Sequence, residues 1–198
     1  MNIHPTAIVS PDAKLADDIV IGPGVIIGER VEIGSGCVLQ ARAVIESDTT
    51  IGSGNTIGYG AVIGAAPQDY AHTAEIRSSV VIGNNNRIRE YATIHRGTKE
   101  GTVTRIGDKC FLMVGVHVGH NCEISDSAII TNNVLLAGYV QVGESAVLGG
   151  GSVFHQFLRL QPSRGLEFRM CAGFPIGAHH EFRFRAATRL RKAQHIVV

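Results

Sequence analysis

The sequence predicts an all-β chain: a parallel β-helix built of hexapeptide repeats over residues 1–160, followed by a short irregular or helical tail over 161–198. Three observations predict it. Stepping by six from Ile3 lands on Val9, Leu15, Ile21, Ile27, Ile33, Leu39, Ile45, Ile51, Ile57 and Ile63, eleven consecutive aliphatic positions. Glycine directly follows six of them, as Gly22, Gly28, Gly34, Gly52, Gly58 and Gly64. Tryptophan is absent and aromatic residues make up only 6% of the chain. A compact globule anchors its core on large aromatics, whereas a narrow prism has no room for many of them.

A period of six fits neither a helix nor an alternating strand, and it is the repeat of a stacked solenoid. In this reading one aliphatic residue per hexad points inward as a rung. The small residue after it lets the chain turn a corner without a Cβ clash. Each short strand pairs with the coils above and below, so the rungs form a continuous core. The first run ends at a loop near 64–76, "GAAPQDYAHTAE", and the count resumes one residue out of phase at Ile76, Ile82, Ile88 and Ile94. A second loop near 95–105 contains "HRGTKEGTVTR". The count then returns in Ile106, Leu112, Val118, Ile124, Ile130, Leu136, Val142, Leu148, Phe154 and Leu160. Loops carried on a rigid scaffold are where function tends to sit.

After Leu160 the glycine partners vanish. Residues 161–198 hold six Arg and Lys192 against Glu167 and Glu181, a balance of +5 in a chain of net charge +1. A cap for the solenoid end, a site for an acidic partner, and a tail that replaces the original sequence are the three readings of this basic segment. The whole-chain charge does not suggest a polyanion binder, so no nucleic-acid partner is expected. Cys37, Cys110, Cys122 and Cys171 form no CxxC pair, which points to a reducing compartment. The N-terminus has no signal-peptide pattern and no apolar run approaches a membrane span. A soluble, cytoplasmic protein without stable membrane insertion is expected.

Polar residues interrupt the pattern most densely in "MVGVHVGHNC", residues 113–122. His117 and His120 flank the rung Val118. His95 and His155 each follow a rung directly. The hexads resemble those of the left-handed β-helix acyltransferases, in which three make a coil of 18 residues; that resemblance implies that Gly138 and Tyr139 fall about one coil above His120 and His155 about two. With coils stacked at about 4.8 Å, these groups span about 10 Å of one prism edge. Three chemistries suit the cluster. A histidine can act as general base on a hydroxyl. Three histidines can bind zinc, as in a hydratase on the same scaffold. Cys122, two residues from His120, can act as a nucleophile, although a free cysteine is more often inert filling.

Five blocks carry a resemblance: "PQDY" (67–70), "NRIREYATIHRGT" (86–98), "HVGHNC" (117–122), "NNVLLAGYVQV" (132–142) and "GGGSVFHQF" (149–157). Over residues 1–158 the chain resembles the acyl-carrier-protein–UDP-N-acetylglucosamine O-acyltransferases of lipid A biosynthesis. That resemblance implies a left-handed parallel β-helix that works as a homotrimer without a cofactor or metal. It implies transfer of a 3-hydroxyacyl chain from acyl carrier protein to the 3-hydroxyl of UDP-N-acetylglucosamine. The catalytic positions it implies are His120 as base and the Gly138 backbone N–H as oxyanion donor. The substrate-binding positions are Gln68, Asp69, His95, His117, Tyr139, His155 and Gln156. The chain departs from the family where Asn121 replaces a common Asp and Tyr139 a common His. The loop after Asp69 lacks the usual Lys, and residues 159–198 match nothing of the family's C-terminal third. The competing expectations are an inactive, truncated β-helix relative and a zinc-dependent, carbonic-anhydrase-like hydratase.

Overall fold

The computed structural model describes residues 1–160, so the readings of 161–198 lie outside the described residues. The short strands run in one direction and stack into three parallel sheets of eight strands each. The first face of the prism runs from Asn2–Ile3 to Val147–Leu148, the second from Ile8–Val9 to Val153–Phe154, and the third from Lys14–Leu15 to Arg159–Leu160. This is the left-handed parallel β-helix that the repeat and the resemblance imply. No helix is present among the described residues.

The register shows how the two loops are accommodated. Neighbouring coils are 18 residues apart in most of the stack, as in Ile3 beneath Ile21. Ile51 pairs instead with Ile82, and Ile82 with Ile106, so the insertions bulge out while the ladder stays continuous. Both insertions leave at the same edge, between the second and third faces, after Ala65 and after His95. Counting by six through the first insertion reaches Ile76 only by chance. Ile76 is half-buried in the loop and the next rung is Ile82.

The interior differs from the one-rung reading. Two residues per hexad face inward: the rung and the residue two before it. Ile19, Val25, Val31, Cys37, Asn55 and Ala61 fill that second position and are as buried as the rungs. The asparagines among them link coils, since Asn55 Oδ1 accepts the Asn86 N–H at 2.8 Å and Asn86 Oδ1 accepts the Cys110 N–H at 2.6 Å. All three cysteines of the described residues are buried in this column.

Where glycine follows a rung, its cause also differs from the expected one. The residue with left-handed backbone is the third after the rung, as in Arg30 (φ 55), Asn121 (φ 60), Tyr139 (φ 61) and Phe157 (φ 66). The glycine after the rung is needed because the next coil passes over it. A β-carbon on Gly58 would lie 2.6 Å from the Arg89 carbonyl carbon and 2.7 Å from the Glu90 nitrogen. Gly58→Ala therefore separates two coils and should cost about 1–3 kcal/mol, the usual penalty of overpacking. Chemical denaturation measures it, and an unchanged midpoint contradicts this cause for the glycine.

Candidate functional site

The edge between the second and third faces carries the unusual side chains in a vertical order set by the stack. His95 follows the rung Ile94 one coil lower, and Thr93 and His117 are paired neighbours on the second face. His120 occupies the second position after Val118. One coil above, the second position after Leu136 is Gly138. One coil higher still, the second position after Phe154 is Gln156.

His120 lies directly against Gly138. A β-carbon on Gly138 would overlap the His120 ring atoms Cε1, Nε2 and Nδ1, so this position is confined to glycine by the imidazole. The Gly138 N–H has no acceptor among the described residues, which leaves a buried donor beside the ring. Tyr139 fixes the backbone there by donating its N–H to the His120 carbonyl at 2.9 Å.

The tautomer of His120 follows from its neighbours. His120 Nδ1 is 3.0 Å from Asn121 Oδ1. The same oxygen is 3.1 Å from the Thr98 backbone N–H and 3.1 Å from the Thr98 hydroxyl. A backbone N–H only donates, so the Asn121 atom facing it is the carboxamide oxygen. His120 Nδ1 must then carry the hydrogen, and Nε2 keeps a free lone pair. Asn121 also tolerates the left-handed corner better than most residues.

The other two histidines are held in the same way. His95 Nδ1 is 2.6 Å from the Ala66 carbonyl, which assigns the hydrogen to Nδ1 and ties the start of the first loop to the edge. His117 Nδ1 pairs with Thr93 Oγ1 at 2.9 Å. The His95 and His117 rings are 5.1 Å apart. Burial pushes both below the ordinary imidazole value, helped for His95 by nearby His120 and for His117 by His95 and then His120. Cys122 is not a nucleophile for this site. It is fully buried in the core column, it donates to the Ala137 carbonyl at 3.1 Å, and burial pushes its thiol up to about 12. Among the described residues no three His, Cys, Asp or Glu side chains are arranged to hold a metal ion.

Gln68, His95, His117, His120, Gly138 and Gln156 line one cavity of about 220 Å³. Its upper wall is apolar, built by Leu135, Ala137 and Val153. The remaining expected site residues lie elsewhere. Asp69 is exposed and accepts the Ala71 N–H at 2.9 Å, closing a turn of its own loop. His155 is exposed and outside the lining. Tyr139 stacks on Phe157 at 4.9 Å and lines a second groove of about 530 Å³, its ring nearly perpendicular to that of His120 with centroids 5.3 Å apart. Thr98, Thr93, Leu135 and Val153 were not singled out by the sequence. Thr98 ends the specific block "IHRGT" and so carried a signal. Leu135 and Val153 read only as outward strand residues.

The chain is similar to known acyltransferases. A family model described as bacterial transferase hexapeptide (six repeats) matches residues 30–65. An acyl-[acyl-carrier-protein]–UDP-N-acetylglucosamine O-acyltransferase of Campylobacter concisus is 44% identical over 101 residues, 50% of this chain and 38% of its own length. The solved UDP-N-acetylglucosamine acyltransferase of Francisella novicida superposes with a TM-score of 0.78 at 43% identity, covering 79% of this chain and 57% of its own. The one from Bacteroides fragilis superposes with a TM-score of 0.68 at 38% identity, covering 80% of this chain and 68% of its own. This chain thus spans less than two thirds of the first two relatives. Matched over more than two thirds of the Bacteroides fragilis protein, and sharing its coils, the chain belongs to the UDP-N-acetylglucosamine O-acyltransferase family.

Proposed function

We propose that the chain transfers a 3-hydroxyacyl group from acyl carrier protein to the 3-hydroxyl of UDP-N-acetylglucosamine, the first step of lipid A biosynthesis. The observation that carries this reading is the pairing of His120 with Gly138. A base with a free lone pair on Nε2 lies beside a backbone N–H that has no acceptor among the described residues, at the junction of a polar and an apolar wall.

In this mechanism His120 Nε2 takes the proton of the sugar hydroxyl as its oxygen attacks the thioester carbonyl. The carbonyl π electrons move onto oxygen, and the Gly138 N–H donates to that oxyanion, a charge present only at this stage. The intermediate collapses, the carbon–sulfur bond breaks, and the His120 imidazolium returns its proton to the departing thiolate. Neutral His95 and His117, with Gln68, suit the hydroxyls of a sugar. Leu135 and Val153, respectively 42% and 59% exposed on the chain alone, suit an acyl chain.

Self-association belongs to the same reading. The outward residues of the second face include Ile8 and Ile26, and those of the first face include Val20 and Val38. The third face carries charged outward residues, with Lys14 Nζ bonded to Glu32 at 2.6 Å and Arg105 next to Glu123. Neighbouring outward apolar residues on two faces suit an interaction surface. A homotrimer that covers the apolar faces would add a second wall to a cavity smaller than the ~300 Å³ usual for ligand sites.

His120→Ala should lower acyl transfer by about 10²–10⁴-fold, the range for a lost general base, with an unchanged circular dichroism spectrum. Equal turnover by variant and parent overturns the base, and no turnover by the parent overturns the activity. Burial of His95 and His117 gives a further outcome. Their folded-state values lie below the unfolded ~6.5, so the unfolded chain binds more protons as the pH drops. Their contribution to stability is full above about pH 6.5 and is lost as the pH falls toward the folded values. Denaturation midpoints should fall between pH 7 and pH 5, and less so in a His95→Asn/His117→Asn double variant. Parallel slopes contradict the burial effect.

A further inference from the structure

We propose that Thr98, in the second inserted loop, is a positioning residue that sets the tautomer of His120; this rests on the reading of His120 as the base. The stack explains why a loop residue has this task. At an ordinary corner, the N–H of the third residue after the rung donates to the carbonyl of the coil below, as Tyr139 does to His120 and Phe157 to Gly138. The corner beneath Asn121 is the one that the insertion after His95 interrupts. Asn121 therefore finds no such carbonyl, and its N–H donates instead to Thr104 Oγ1 at 2.8 Å.

The inserted loop supplies the missing restraint. Thr98 gives both its N–H and its hydroxyl to Asn121 Oδ1. The Tyr139 hydroxyl, 3.3 Å from Thr98 Oγ1, is placed to donate to that oxygen and so directs the Thr98 hydrogen onward. The result is a one-way chain. Tyr139 donates to Thr98, Thr98 donates to Asn121, and His120 donates to the same Asn121 oxygen from the other side. Rotating the carboxamide would turn its NH₂ toward two donors. The carboxamide therefore stays put, His120 keeps its hydrogen on Nδ1, and Nε2 remains free to accept the proton of an acceptor hydroxyl. Because Asn121 is neutral, orientation is what it contributes. Thr98, 9% exposed, is itself held by the packing of the two loops, where Ser78 Oγ donates to the Gly97 carbonyl at 2.6 Å and the Arg77 N–H to Glu100 at 2.8 Å. The task of Tyr139 is then to feed this chain from the groove side.

The test compares Thr98→Val and Thr98→Ser with the parent, using 3-hydroxyacyl carrier protein, UDP-N-acetylglucosamine, and nitrogen-15 spectra of the His120 ring. Thr98→Val removes one of the two donors that hold the carboxamide. The ratio of Nε2–H to Nδ1–H tautomer should rise roughly fivefold to tenfold, the factor one hydrogen bond carries. kcat should fall in proportion to the Nδ1–H fraction that is lost, with KM within about twofold, and Thr98→Ser should restore both. If Thr98→Val does not fold, Thr98→Ala replaces it with the same outcomes. A parent ring that carries its hydrogen on Nε2, an unchanged tautomer and kcat in the Val or Ala variant, or a Ser variant that restores neither, overturns the proposal. The spectra need no turnover, so they test Thr98 even where the acyl-transfer reading itself fails.

Discussion

The constraint on which the whole molecule depends is the direct stacking of one coil on the next. The residue after each rung donates its N–H to the rung carbonyl of the neighbouring coil, as Gly22 does to Leu39 at 2.8 Å and Gly119 to Leu136 at 2.8 Å. Because this ladder is continuous, residues 18 apart in sequence lie about one strand spacing, ~4.8 Å, apart in space. The rungs then form a single core, and no residue can shift inward without moving the coils above and below it. Glycine after the rung is a consequence of the same closeness. Where glycine holds that position, as at Gly58, a β-carbon would meet the backbone of the next coil, which cannot move aside.

The site is a product of that ladder. His120 and Gly138 are neighbours because both are the second residue after a rung on successive coils. The imidazole of one fills the space that the missing side chain of the other leaves. The two insertions leave from the same edge just beneath, so their residues are close to the histidines by construction. His95 reaches the first loop through the Ala66 carbonyl, and Asn121 reaches the second through Thr98. A site built on stacked coils gains geometric definition from backbone pairing rather than from packing of a globular core.

Much of this was legible in the sequence because one property, the period of six, dictates both the core and the alignment of coils. The rungs from Ile21 to Phe154 and the edge that gathers His117, His120 and Gly138 follow from counting. The second inward position did not, because it accepts Ile19, Cys37, Asn55 and Ala61 alike and leaves no aliphatic signature. Ile76 was misplaced because a count has no means of noticing that the backbone has left the coil. His155 lies at a position equivalent to that of His95, yet one is exposed and the other buried. What differs is the loop that covers the lower one, and loop packing is not written in the period. The hydrogen on His120 Nδ1 was equally invisible, since it depends on Thr98 approaching from an insertion.

The close pairing of His120 with Gly138 is the central structural claim about function, and Gly138→Ala tests it most directly. The new methyl group would occupy the place of the imidazole while leaving the N–H of residue 138 and every rung intact. The measurement is acyl transfer from 3-hydroxyacyl carrier protein to UDP-N-acetylglucosamine by the purified, folded variant. Loss of transfer with the β-rich circular dichroism spectrum retained is the expected result. Transfer at the parent rate would contradict the placement of the reaction at this edge.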